Sequence, residues 1–140
     1  MKLRKQLVDV ALNWEERFGV APQITSAVSE YDAARLIGHT DASLASALKG
    51  HTVVHRGYDF KCKGIRYQVK ANRPSGKPGS FVKLVSKAKN YEWDRLLWLL
   101  YDRKYMLQEA WEWKVEAYRA AFHAKELLRP KDMRLGKRLR

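Results

Sequence analysis

The chain is poor in cysteine: Cys62 stands alone among 140 residues. One thiol closes no internal disulfide and supplies no cysteine cluster for zinc, so a reducing, cytoplasmic setting is expected. Long apolar runs are missing as well. None approaches the roughly 18 residues that span a bilayer, and residues 1–20 mix charge throughout, without the apolar stretch of a secretory signal. No membrane association is therefore expected. Negative charge is scarce: 28 Lys+Arg face 15 Asp+Glu, a net +13 with a pI near 10.0. That excess points to a polyanionic partner, nucleic acid before membrane. Between Lys49 and Lys89 the shortage of acids is almost complete. Asp59 is the one acid among Lys49, Arg56, Lys61, Lys63, Arg66, Lys70, Arg73, Lys77, Lys83, Lys87 and Lys89.

Apolar residues make up 46% of the chain and aromatics 11%, enough for one core. A single domain is expected over residues 1–128, with an N-terminal helix over 1–19, a core over 29–122 and a basic tail over 129–140. Leu3, Leu7, Val10, Trp14 and Phe18 recur at helical spacing, which predicts an amphipathic first helix ending at Gly19. Ser29 is a good N-cap for a second helix reaching Ile37, and Asp41–Leu48 reads as a third. The period then changes. Thr52–His55 is β-prone, and Tyr58–Cys62 and Ile65–Ala71 read as strands around Lys63-Gly64. Asn72–Ser80 is a loop with two Pro and two Gly. Leu96–Tyr101 reads as a strand buried on both faces. In Tyr105–Trp113 the alternation places Tyr105, Leu107, Trp111 and Trp113 on one face, and a last helix follows with Val115, Tyr118 and Phe122 inward. The fold class is α/β (α+β), with a small mixed sheet flanked by helices.

A two-residue turn at Lys63-Gly64 pairs Cys62 with Ile65 and sets Asp59 directly across from Gln68. Phe60, Cys62, Ile65, Tyr67 and Val69 then share an apolar face, and Asp59, Lys61, Arg66, Gln68 and Lys70 a polar one. An acid, an amide and a lysine converge in a cationic region. Such a set suits metal-assisted phosphodiester hydrolysis: Asp59 for Mg²⁺, which takes oxygen ligands, Gln68 for a further oxygen, and Lys70 to orient the attacking water. A solvated hairpin with a cross-strand polar pair has the same pattern.

The stretches Gly57-Tyr58-Asp59 and Gly64-Ile65-Arg66-Tyr67-Gln68-Val69-Lys70 resemble the core motif of the PD-(D/E)xK nuclease superfamily, in its Asp…Gln-x-Lys form. Ser29–Gly38 resembles the helix that precedes the motif in that family. The resemblance implies a restriction-endonuclease-like αβββαβ core and an Mg²⁺-dependent (or Mn²⁺-dependent) DNA endonuclease that hydrolyses phosphodiester bonds with a metal-bound water. It implies Asp59, Gln68, Lys70 and Glu30 as catalytic residues, with Glu30, Asp59 and Gln68 on the metal and Glu15 and Glu16 as reserves for the helix acid. DNA is the expected partner, with RNA left open, and a homodimer is expected if both strands are cut. Gln68 stands where an acid is commoner and removes one negative charge from the site.

The basic residues expected to meet nucleic acid are Arg56, Lys61, Arg66, Arg73, Lys77, Lys83, Lys87 and Lys89. Ser80 and Ser86 would extend that track. Ala34, Gly38, Leu44 and Leu48 also suit a helix-turn-helix, whose second helix is poor in base-reading side chains. His51 and His55 are spaced i, i+4 but lack a third ligand for zinc. Two other functions fit the same residues: a non-catalytic nucleic-acid-binding protein on a nuclease-like fold, and a helix-turn-helix DNA-binding regulator.

Overall fold

A computed structural model describes residues 2–49 and 57–140. The elements are α1 (Lys2–Phe18), α2 (Thr25–Leu36), α3 (Asp41–Lys49), β1 (Phe60–Cys62), β2 (Ile65–Asn72), β3 (Arg95–Tyr101), β4 (Leu107–Lys114), α4 (Val115–Phe122), α5 (Pro130–Met133) and β5 (Lys137–Arg138). The strands form one mixed sheet in the order β1-β2-β3-β4-β5, antiparallel throughout except that β3 runs parallel to β2. Among the described residues no helix is long and apolar enough to cross a membrane.

The sheet separates two apolar clusters. Phe60, Cys62, Tyr67, Val69, Leu97, Leu99, Tyr101 and Ala110 face α1, α2 and α3. Leu96, Trp98 and Trp113 face the other way, against Val85, Trp93, Tyr118, Phe122, Leu128 and Met133. The doubly buried strand expected at Leu96–Tyr101 is β3, where Leu96, Leu97, Trp98 and Leu99 are each 0% exposed. The expected places of Cys62, Trp93, Trp98 and Trp113 in the core also agree with the structure.

Other expectations are corrected. The helix predicted to start at a Ser29 cap starts at Thr25, and the buried Ser29 hydroxyl donates to the Ser26 carbonyl instead. Burial of Val28 wins over the local capping preference of Ser29. Leu107 does not share a face with Trp111 and Trp113. The register moves from Leu100↔Glu109 to Tyr101↔Leu107, so Gln108 is an extra residue and the alternation reverses there. Leu107 and Tyr105 join the α1–α3 side, and the tryptophans the other. The expected basic tail over 129–140 is folded as α5 and β5. Met133 is fully buried, and its carbonyl accepts a hydrogen bond from the Trp113 indole at 3.0 Å. Between β2 and β3, residues 73–94 contain no helix, and four consecutive strands precede α4, so the chain order departs from αβββαβ.

The largest correction concerns α1. Its apolar stripe faces solvent: Leu3, Val10, Trp14 and Phe18 are all exposed, and Leu7 is exposed to a lesser degree. The inner face is narrow, with Val8 and Ala11 at its centre. Ion pairs bracket it. Near one end Arg4 makes two hydrogen bonds to Asp32, at 2.7 and 2.8 Å, and a third to the Tyr105 carbonyl; Asp32 also accepts the Tyr101 hydroxyl at 2.6 Å. Near the other end Glu15 takes Arg73 at 2.9 and 3.1 Å. Charge geometry, not apolar area, thus fixes the rotation of the helix. Removing Asp32 leaves a half-buried guanidinium and a buried phenol without their shared acceptor. Asp32→Ala is expected to cost about 2–4 kcal/mol in urea unfolding, and Trp14→Ala less than about 1 kcal/mol.

Candidate functional site

The β1–β2 hairpin carries the site. Lys63 and Gly64 have φ of 51° and 78°, both positive, the sign pattern of a type I′ turn that suits the twist of the strands. The register is the one this turn predicts: Cys62↔Ile65, Lys61↔Arg66, Phe60↔Tyr67. Asp59 departs from it. Its N–H donates to the carbonyl of Tyr67, the residue already opposite Phe60, so two successive residues address one, as in a β-bulge. Asp59 therefore does not form the expected plain cross-strand pair with Gln68. Its Oδ2 accepts the Val69 N–H at 2.7 Å, which fixes the carboxylate against β2.

α2 packs across β2 and brings Glu30 to this place. Glu30, Asp59, Gln68 and Lys70 line one cavity of about 280 Å³, with Thr25, Ser26, Ser29, Val69, Ala71 and Ser86. Of the reserve acids, Glu15 is held by Arg73 and Glu16 is exposed on α1, away from this cavity. Thr25 and Ser26 have no spacing or composition signal in the sequence; they reach the cavity because α2 starts earlier than its Ser29 signal suggests.

The carboxylates disturb each other. Burial, then the charge of Asp59 and a hydrogen bond with it, push Glu30 up to about 7. Burial also raises Asp59, against the opposing pull of the Val69 N–H, Lys70 and Glu30. Lys70 is lowered by burial and by Lys89, while Asp59 opposes the change. Near neutral pH the pair thus holds a proton that a cation can displace. Among the described residues no group of three or more His, Cys, Asp or Glu side chains is placed to hold a metal. A divalent ion here would have two carboxylates, with the Gln68 amide oxygen, a backbone carbonyl or water for the rest. That donor set fits Mg²⁺, which keeps several waters and is commonly bound through one or two carboxylates.

The expected nucleic-acid contacts divide sharply. Arg66 is held by Asp94 through both its backbone N–H and its guanidinium, at 2.9 to 3.1 Å. The Arg73 side chain is only 7% exposed; it binds Glu15 and the Arg103 carbonyl and lies over the Tyr105 ring. Both arginines are thus paired within the fold, Arg73 nearly buried and Arg66 partly exposed. Lys87 reaches the carbonyls of His123 and Lys125. Lys61, Lys77, Lys83 and Lys89 are exposed, and Lys89 is close enough to Lys70 to influence it. Arg56 lies outside the described residues, as do His51, His55 and the strand expected at Thr52–His55. On α3, Asp41 accepts the Tyr31 hydroxyl and Ser43 binds His39 and Thr40, while the rest of the helix surface around buried Leu44 is mostly exposed.

The paired carboxylates have a consequence for stability. A free glutamate releases its proton near 4.5, and folded Glu30 near 7. The folded chain holds this proton more tightly than the unfolded one. Its contribution to stability is complete below pH 4.5 and is lost as pH rises to about 7. The loss is expected to reach at most about 3 kcal/mol, and Glu30→Gln should remove that slope. Urea titrations at the two ends of the window measure it; an equal slope in the variant would show that Glu30 is not its source.

Comparison with models of known protein families gives no match for this chain, and comparison with curated proteins gives none either.

Proposed function

We propose that the chain is an Mg²⁺-dependent DNA endonuclease with a restriction-endonuclease-like core. The observation that carries this reading is the convergence of Glu30, from a helix, with Asp59, Gln68 and Lys70, from a hairpin, on one polar cavity. Glu30 and Asp59 would hold Mg²⁺ or Mn²⁺, with Gln68 contributing its amide oxygen. When bound, the ion supplies Lewis-acid polarisation of the phosphate and charge neutralisation. Lys70 orients the attacking water and donates to the phosphate oxygen on which charge accumulates. The attacking water gives up a proton to solvent as its oxygen bonds to phosphorus, the P–O bond to the leaving oxygen breaks, and that oxygen takes up a proton from solvent. Lys89, beside Lys70, meets a flanking phosphate, and Lys61, Lys77 and Lys83 supply contacts without base selectivity. The hairpin that follows α2 and α3 in the chain, and the parallel β3 next to β2, support the family resemblance; residues 73–94 are where the chain departs from it.

The test is nicking of supercoiled plasmid with Mg²⁺ or Mn²⁺. Asp59→Asn and Lys70→Ala are each expected to slow it at least about 100-fold. Cleavage at the wild-type rate by either variant would overturn the reading. Since divalent affinity depends on ligand charge, Gln68→Glu is expected to lower the Mg²⁺ concentration needed for half-maximal cleavage. Mg²⁺ should raise the Tm of the wild type at pH 7 and leave that of Asp59→Asn unchanged.

The two-carboxylate count favours a second reading, a nucleic-acid-binding protein on the same fold without cleavage. It predicts steeply salt-dependent binding that EDTA does not alter, and metal-dependent nicking would exclude it.

A further inference from the structure

The exposed stripe of α1 calls for a partner. Leu3, Leu7, Val10, Trp14 and Phe18 form one continuous apolar face, with the Trp14 and Phe18 rings in tilted contact, centroids 4.8 Å apart. The helix cannot roll to bury it. Its inner face is held by Val8, Ala11 and the ion pairs Arg4–Asp32 and Glu15–Arg73. We propose that this face binds the same face of a second copy, as an antiparallel helix pair about a two-fold axis.

Three observations favour a second copy over other occupants. The first is the spacing, which is self-complementary. In an antiparallel pair centred between Val10 and Ala11, Leu3 meets the partner's Phe18, Leu7 meets the partner's Trp14, and the two Val10 side chains meet at the axis. An isologous interface requires this reciprocity: when one residue touches a second, the second touches the first. Each large ring also faces a smaller aliphatic chain. The second is area. The stripe exposes on the order of 600 Å² of apolar surface per copy, close to the ~800 Å² per partner of a standard specific interface. The third is charge. The stripe itself contains no ionisable residue, so a phosphate backbone has nothing to bind there. The polar side of α1 pairs Lys5 with Asp9 at 2.6 Å and carries Glu16, unlike the strongly cationic face of a helix that lies on anionic lipid.

The proposal does not depend on catalysis. Because each copy carries +13, the copies repel at long range. Screening removes that term, so added NaCl should tighten the dimer, the reverse of its effect on nucleic-acid binding. Sedimentation equilibrium of the full chain, in EDTA and without nucleic acid, is expected to show a monomer–dimer equilibrium that shifts toward dimer as NaCl rises. Trp14→Lys should raise the dissociation constant at least about 30-fold with unchanged circular dichroism, and with unchanged Tm at dilutions where the wild type is monomeric, because Trp14 lies outside the core. Under oxidation Val10→Cys should cross-link to itself. Leu3→Cys should not cross-link alone but should cross-link to Phe18→Cys on mixing, and buried Cys62 serves as the background control. A chain that stays monomeric, a dimer that tolerates Trp14→Lys, or self-linking of Leu3→Cys would each overturn the proposal. None of these outcomes bears on the plasmid assay, so the two readings stand or fall separately.

Discussion

β3 has no side that can meet water. Leu96 and Trp98 point one way, Leu97 and Leu99 the other, and all four are completely enclosed. Both faces of the sheet must therefore be covered, and the rest of the architecture follows from that requirement. α2 and α3 cover one face, and their placement brings Glu30 over β2. The other face is covered by α4, by Val85 and Trp93 from residues 73–94, and by Leu128 and Met133 near the C-terminus. The tail is rich in charge, yet it is folded, because its Met133 is needed, with Leu128 just before the tail, to finish this second layer. Burial of such side chains contributes roughly 1.5–3 kcal/mol each, enough to overcome the tendency of a basic segment to remain solvated.

Scarce acids have a second effect. Eight of the fifteen pair with a cation among the described residues: Asp9 with Lys5, Asp32 with Arg4, Asp41 with Arg35, Glu15 with Arg73, Asp94 with Arg66, Glu112 with Arg95, Asp132 with Lys125 and Glu109 with Arg134. Glu30 and Asp59 have mainly each other, with Lys70 to one side. In a chain of +13, two carboxylates that burial raises, one of them raised further by its neighbour, are out of keeping with their surroundings. They are the place in the described structure where added positive charge relieves a strain instead of creating one. The same pairing scheme engages Arg66 and Arg73 with Asp94 and Glu15, so part of the net positive charge is neutralised within the fold.

Strand content was legible where local signals agree with burial. Lys63-Gly64 sets the hairpin register, the unbroken apolar run of β3 announces burial on both faces, and Asp59, Gln68 and Lys70 could be grouped from their alternation, with Glu30 added by the family resemblance. The failures share a cause: each depended on a partner distant in sequence. The α1 stripe predicts a buried face from periodicity, but the orientation of α1 is decided by Asp32 and Arg73, which no pattern within residues 2–18 can reveal. The reversal at Leu107 needs one extra residue opposite the Leu100–Tyr101 step. The bulge at Asp59 needs a second donor to the Tyr67 carbonyl. Ser29 has the chemistry of a cap, yet the burial of Val28 places it inside the helix.

The parallel pairing of β2 with β3 also sets the order in which the cavity can assemble. The β1–β2 hairpin closes over two residues and can form early, with Asp59 already bonded to Val69. β3 can add to it only after residues 73–94 have been drawn into a closed loop, an entropic cost that precedes the apolar gain. Until then the partly formed sheet exposes β2 along one edge and the whole of the Leu-rich β3. An unpaired strand edge of that kind is open to intermolecular strand pairing. The geometry that encloses β3 most completely in the native state thus makes it the greatest liability during folding.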